Sequence, residues 1–448
     1  MGLTKKLSEF INTLRFEDLP PEVVLEAKLC ILDWFGVALS GSKEPLIDIL
    51  LQVVREEGGN PRASIVGKSD KLSLQRAALV NGTSSHALDF DDVHSGMMGH
   101  PSVVVLPGAL SLGEYKKCSG ADLIAAFVAG FETVCHIGFS QTRNHGARGW
   151  HPTSTIGHFG AAAACANLLM LDVDATVNAL GIAGTQASGL RQVFGTMCKP
   201  LHAGKASMDG LFAAQLAEKG FNSSQEIIEG KEGFTSAFTP DGNWAYTLEG
   251  LGERYQILDV KFKRHASCFG THPAIDAALS FREEGLKTDD IASVHIIPFH
   301  GLYNAISIMK PRTGLEGKFS APYTFALAFV KGKVGEDQFT ERYLEDPEII
   351  EIRDKVTMER NENMPPNNSL VVVKTQGGRT LEKHVDINDV LKDSNKKKKA
   401  LKDKFFDCAT RVLSKGQSES LYANIMGLER IEDITNLIKL STKESMRQ

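Results

Sequence analysis

Apolar positions recur at helical spacing through PPEVVLEAKLCILDWFGVAL (20–39), with proline at the first turn, and predict a long helix there. GADLIAAFVAGFETVCHIGFS (120–140) and HFGAAAACANLLM (158–170) are apolar nearly all round, the pattern of helices enclosed by other helices. Helical patterning dominates residues 1–260, without a fixed-period repeat. Its character changes near residue 257. SVHIIPF (293–299) and SLVVVKTQGGRTLEKHVDI (369–387) carry β-branched runs, the second interrupted by a Gly377–Gly378 hairpin turn. Helical patterns at 273–284, 318–331 and 347–355 lie between these strands. KKKKALKDKFFDCATRVL (396–413) returns to helix, and a polar tail follows. The predicted fold is mainly α: a large helical domain (1–264), a smaller inserted α+β lid domain (265–395), and C-terminal helices (396–448) returning to the first. The Lys396–Lys399 run reads as the solvated start of a helix.

At 448 residues the chain is long enough for two cores. A net charge of −5 gives no support to nucleic-acid binding. No uninterrupted apolar run of about 18 residues predicts a membrane span. The opening MGLTKKLSEFINTL is amphipathic and lacks a signal-peptide core, so a cytoplasmic address is expected. Seven scattered cysteines without a CxxC pair argue against a disulfide framework or a zinc ribbon. Cys198 and Cys268 adjoin the segments considered next.

NGTSSHALDFDDVHSGMMGHPSVVVLP (81–107) places Asp89, Asp91 and Asp92 with His86, His94 and His100 among small and apolar residues. Asp beside His suits proton transfer near neutral pH, because the carboxylate orients the imidazole and tunes its pKa. Asp89 is expected to face the site and the other two acids to support the loop. His151 precedes Pro152 at a loop-to-helix junction, and His158 reads as structural. Lys199 and Lys205 flank His202 in FGTMCKPLHAGKAS, a setting that suits neutralising a substrate carboxylate. His272 stands before a helix beginning at Pro273, and Tyr323 follows Lys318 in GKFSAPYTFALAF; a core tyrosine is an equal reading of Tyr323. DFDD lacks the glycine-punctuated spacing of a calcium loop. HExxH, Walker and GxSxG signatures are absent from the sequence. No metal is therefore expected.

Taken together, NGTSSHALDFDD…GHPS…LP, WHPTSTIGHFGAAAA, GTQASGL…FGTMCKPLHAGKA, THPAIDA and KFSAPY resemble the MmgE/PrpD family. They follow the family's order over most of residues 20–335. The resemblance implies a helical domain with an α+β lid, a homodimer, and a site at the domain junction using neither metal nor organic cofactor. It implies proton chemistry on a small polycarboxylate: 2-methylcitrate dehydration, cis-aconitate decarboxylation or iminodisuccinate epimerisation. The family's catalytic positions, as placed in its decarboxylase, fall on Asp89, His100, His151, Lys199 and His272. Val93 (a threonine in that enzyme), His94, Lys205 and Tyr323 are the expected substrate-binding positions. HPSVVVLP lacks the Asp-Asn pair that dehydratases tend to carry, which favours decarboxylation of cis-aconitate. Dehydration, epimerisation and a catalytically silent polycarboxylate binder stay open as alternatives. Dehydration and decarboxylation need nearly the same residue types.

Overall fold

The computed structural model describes residues 2–141, 144–244, 247–387 and 394–443. The polar tail beyond 443 and residues 388–393 of the expected lid segment lie outside the described residues. The longer helices are α1 (Leu3–Thr13), α2 (Pro21–Gly41), α3 (Pro45–Glu57), α4 (Leu74–His86), α5 (Ser102–Lys116), α6 (Gly120–Ser140), α7 (Gly157–Leu168), α8 (Val173–Gly184) and α9 (Cys198–Glu218). Later come α10 (His272–Glu283), α11 (Ala321–Lys331), α12 (Pro347–Asp354), α13 (Ser394–Ala409), α14 (Lys415–Met426) and α15 (Thr435–Leu440). The protein is mainly α with a small α+β part, as its periodicity predicts.

One apolar core joins α1–α9 to the C-terminal helices. Trp34 and Phe35 of α2, Phe127 and Phe131 of α6, and Phe405 of α13 are all buried in it. Helix α6 has the length and composition of a membrane span, but almost all of it is enclosed by its neighbours. Its start is set by a capping box: Ser119 Oγ accepts from Asp122 N (3.1 Å), and Ser119 N donates back to Asp122 (3.2 Å). The Lys396–Lys399 run is less solvated than its sequence suggests. Lys397 Nζ donates to both oxygens of the buried Glu26 (2.7 and 2.8 Å) and so ties α13 to α2.

A second core lies in the α+β part. Strands β1 (Ile291–Pro298), β2 (Val356–Met358), β3 (Asn368–Thr375) and β4 (Thr380–Asp386) form a sheet in the order β2-β1-β3-β4. β1 and β2 are parallel, with Val294 opposite Val356. β3 is antiparallel to β1 and β4, and the predicted Gly377–Gly378 turn joins it to β4. Val294, Ile296, Val371 and Val373 bury one face in a core with Phe281 of α10, Phe325 and Phe329 of α11, and Ile349 and Ile352 of α12. Val37, Leu88, Phe90 and Cys408 extend this core into the helical part. The three-residue β2 went unpredicted because it is too short to show a period.

Helical patterning was expected to run to about residue 260, but the structure breaks it after Glu218. Among the described residues, 219–271 hold only short pieces such as Phe234–Phe238 and Gln256–Asp259. Six glycines between 220 and 252, with Pro240, deny this stretch an uninterrupted helical run.

Helices α4 and α9 meet backbone to backbone. A Cβ on Gly82 would lie 2.7 Å from the Cα of Gly204, and one on Gly204 would overlap the Leu79 carbonyl. Alanine normally improves a helix interior, but here steric overlap outweighs propensity. Gly204→Ala is expected to destabilise the fold by about 1–3 kcal/mol in urea unfolding. Gly416→Ala in α14, where nothing lies within 4 Å of the new methyl, should be neutral or slightly stabilising. Equal effects at the two positions would refute the close-approach argument.

Candidate active site

The loop that follows α4 carries the chemistry. Asp89 adopts a left-handed backbone (φ 51°), a conformation that aspartate tolerates better than most residues. This turn brings both its carbonyl and its carboxylate to Lys263, whose Nζ donates to Asp89 O and Oδ1 at 2.8 Å each. Lys199, in the first turn of α9, donates to the same Oδ1 at 2.7 Å. Three consecutive carbonyls of the loop each take a lysine from a distant part of the chain. Lys318 reaches Leu88 O (2.6 Å), Lys263 reaches Asp89 O, and Lys404 of α13 reaches Phe90 O (2.6 Å). Lys404 also pairs with Asp33 at 2.7 Å.

Asp91 stands between two imidazoles. His86 Nδ1 lies 2.9 and 3.0 Å from its two oxygens, and His100 Nδ1 lies 2.9 Å from Oδ2. His86 Nε2 faces Lys199 Nζ at 2.9 Å. An ammonium can only donate, so His86 Nε2 accepts and Nδ1 carries the ring proton. His100 Nδ1 is also 2.8 Å from Asp92 O, so this nitrogen too donates. That leaves His100 Nε2 as a basic nitrogen, 3.9 Å from Asp89 Oδ1. His151 caps the one-turn helix Pro152–Thr155. Its ring stacks against His86 with centroids 6.3 Å apart, and its Nδ1 meets His202 Nδ1 at 3.0 Å. The rings of Phe194 and Phe319 flank the Lys199 ammonium at 5.5 and 5.3 Å.

Burial alone would raise the Asp89 carboxyl, but Lys199 and Lys263 overcome it and hold the group well below the usual range. Asp91 is likewise held low, against burial, by His100 and His86. Burial lowers His86 to about 3, with Lys199 adding to the effect against Asp91. Burial also lowers His100 and takes His151 well below its ordinary value, the nearby Lys199 contributing to both. Burial drops Lys318 to about 8. The unliganded site at neutral pH therefore pairs ionised acids and lysines with neutral imidazoles.

Asp89, His100, Lys199 and His151 converge as their motifs suggested. His272 lies at the start of α10 in the α+β part, its ring 5.0 Å from that of His265. Burial and the neighbouring His265 lower it well below its ordinary value. His272 Nε2 and Asp89 Oδ2 are buried without a hydrogen-bond partner among the described residues. The four expected substrate-binding residues make other contacts. His94 points into the helical core, where Nε2 meets Gln256 O (2.9 Å) and Nδ1 meets Gly96 N (3.0 Å) and Cys135 Sγ (3.1 Å). Val93 pairs its backbone with Lys261 at 2.8 Å in both directions. Lys205 is half-exposed and bonds Asp209, which also meets His158 Nε2 at 3.2 Å. Tyr323 is a core residue of the α+β part, its hydroxyl donating to Gln338 O at 3.3 Å. Spacing could not show which way these side chains turn.

Sequence reading gave Asp91 only a supporting role and passed over Lys263, which lies in KFKRHASC and reads there as an ordinary basic surface run. His86 had been noticed within its motif but not assigned to the site. The side chains of His86, Asp89, Asp91 and His100 offer ligand atoms within 4.8 Å of one another. Two ammonium groups already occupy Asp89 Oδ1, and one of them meets His86 Nε2. The two ammonium groups beside these donors would repel a cation, so this donor set fits a metal ion poorly.

Residues 5–247 match the MmgE/PrpD N-terminal domain and residues 265–426 the MmgE/PrpD C-terminal domain, and the chain belongs to this family. It is 27% identical to the cis-aconitate decarboxylase-like protein oryM of Aspergillus oryzae, over 99% of this chain and 98% of that protein. It is 29% identical to the cis-aconitate decarboxylase of Homo sapiens, over 98% of this chain and 95% of that one. The mitochondrial 2-methylcitrate dehydratase of Yarrowia lipolytica is 23% identical, over 79% of this chain and 71% of its own.

Next to the site, burial and the carboxylates of Asp33 and Asp91 raise Asp92 to about 7, against its bonds from Ser102. As pH rises from about 4 the unfolded chain releases this proton while the folded chain keeps it, so stability is lost up to about 7 and then levels. Asp92→Asn keeps an amide oxygen for Ser102 N and removes the titration. Urea midpoints between pH 5 and pH 8 should show the variant gaining on the wild type up to about pH 7. Parallel curves would contradict a buried, proton-holding Asp92.

Proposed function

We propose that the chain is a cofactor-independent lyase that converts cis-aconitate to itaconate and carbon dioxide. The observation that carries this reading is the buried Asp89 carboxylate, held between the Lys199 and Lys263 ammonium groups and facing neutral imidazoles. Full-length similarity to several cis-aconitate decarboxylases supports it. So does the unpartnered buried His272 Nε2, which could donate to a substrate carboxylate.

Loss of carbon dioxide from the methylene arm lets its electron pair form the new methylene double bond. The old double bond's pair moves to the carbon beside the far carboxylate and is delocalised into it, and one proton is added at that carbon. Lys199 and Lys263 stabilise that charge as it develops. Asp91 fixes His100 with Nδ1 protonated, and Nε2 takes up a proton as the substrate binds and donates it to a substrate carboxylate. His151 delivers the proton from Nε2, which has no hydrogen-bond partner among the described residues. Asp89 positions both lysines.

Proton NMR of chelator-treated protein with cis-aconitate is expected to show itaconate. Lys199→Ala, His100→Ala and His151→Ala should each lose about a hundredfold in turnover or more, with circular dichroism unchanged. Formation of 2-methylaconitate from 2-methylcitrate instead would make the chain a dehydratase. Deuterium exchange into iminodisuccinate without net conversion would make it an epimerase. Near-normal turnover in a variant would cancel the role given to that residue.

Binding a polyanion should raise the depressed histidine pKa values and draw protons from solution. Calorimetry at pH 7 in buffers of different ionisation enthalpy is expected to show net proton uptake on binding. No buffer dependence would mean that the histidines stay neutral in the complex.

A further inference from the structure

A site for cis-aconitate must hold three carboxylates, yet the cluster around Asp89 has no positive charge to spare. Lys199 and Lys263 both pair with Asp89, and Asp91 adds a second ionised carboxylate beside neutral imidazoles. Of the other lysines on the loop, Lys404 pairs with Asp33, and Lys318 has Glu44 and Glu336 near it. We infer that Arg191 supplies the further charge: it grips the carboxylate on the substrate's central carbon and selects tricarboxylates over dicarboxylates. This inference rests on the reaction proposed above.

Arg191 opens the single turn Arg191–Val193 between α8 and α9. Its backbone N–H donates to Gly149 O at 2.8 Å, and its Nη1 donates to Gly146 O at 3.0 Å. The other edge of the guanidinium stays open. Nε and Nη2, the pair that can take both oxygens of one carboxylate, have no partner among the described residues and are not sealed from solvent. The residue is half-buried and, among the described residues, forms no ion pair. A guanidinium keeps its charge at any working pH, so an anionic ligand is what would balance it.

Phe194 places this cation beside the cluster. Its ring centroid is 5.5 Å from Arg191 Cζ and 5.5 Å from Lys199 Nζ, and the ring packs edge-on against His151 at 4.9 Å. The Cys268 thiol is close enough to feel Arg191 as well as Asp89, Lys263 and Lys199. A six-carbon tricarboxylate can span from the lysines to the open edge of Arg191.

The reaction decides which carboxylate goes there. The one on the methylene arm departs as neutral carbon dioxide, and an arginine fork on it would stabilise its charge and oppose the loss. The far carboxylate takes up the developing charge and belongs with Lys199 and Lys263. The central carboxylate neither leaves nor gains charge. A fixed fork can hold it equally in the ground state and the transition state.

Such uniform binding appears in KM and not in kcat. Arg191→Gln is expected to raise KM for cis-aconitate about ten- to hundredfold with kcat little changed. Two saturated ligands test the contact without turnover: tricarballylate has the central carboxylate, and glutarate is the same chain without it. In ligand-observed NMR titrations the wild type should prefer tricarballylate by about ten- to hundredfold, and Arg191→Gln should lose that preference while binding glutarate as before. Arg191→Lys, which keeps the charge without the fork, should fall between them. A variant that only disturbs residues 146–151 would weaken both ligands alike. That result, an unchanged affinity for tricarballylate, or a wild type with no preference between the two ligands would overturn the inference. A wild type that shows the preference but forms no itaconate would count against the proposed reaction alone.

Discussion

The site depends on the contact between α4 and α9, where Gly82 and Gly204 leave no side chain between two backbones. His86 ends α4 one turn beyond Gly82, and Lys199 begins α9 just over one turn before Gly204. With the axes this close, an imidazole nitrogen and an ammonium meet at 2.9 Å in a closed interior. A larger residue at either glycine would part the helices, and with them two sides of the charge cluster.

That cluster is costly to bury. Asp89, Asp91, Lys199 and Lys263 are all withdrawn from water, and buried ion pairs seldom repay their desolvation. The structure limits the cost by pairing. Asp89 takes two ammonium groups, Asp91 takes two imidazole N–H donors, and the imidazoles stay neutral. Three lysines fasten the carbonyls of Leu88, Asp89 and Phe90, so the loop is held by the α+β part, by the segment just before it and by a C-terminal helix at once. Such an arrangement is better explained by electrostatic preorganisation than by stability.

Much of the candidate site was legible because its parts come in short motifs. DFDD, GHPS, WHP and KPLH each join a titratable residue to a proline, glycine or helix start, and Asp89, His100, His151 and Lys199 meet in space. Direction was not legible. His94, six residues before His100, turns into the helical core toward Gln256 and Cys135. Tyr323 sits on the buried face of α11, where periodicity alone cannot separate a site residue from a core residue. Lys263 had no local signal, since a basic run before a boundary reads the same whether it is solvated or buried.

Periodicity and composition determined the elements: enclosed apolar helices, β-branched strands around a Gly-Gly turn, and a return to helix near residue 396. These follow from local sterics and from which faces need burial, both of which are written residue by residue. Only the tertiary structure decided which charges share a site. Lys199, Lys263, Lys318 and Lys404 are spread over about half the chain, and what joins them to one loop is the packing of the helices and the α+β part around it. The pKa values follow from that packing as well, because desolvation and charge proximity are properties of the assembled interior and not of any segment.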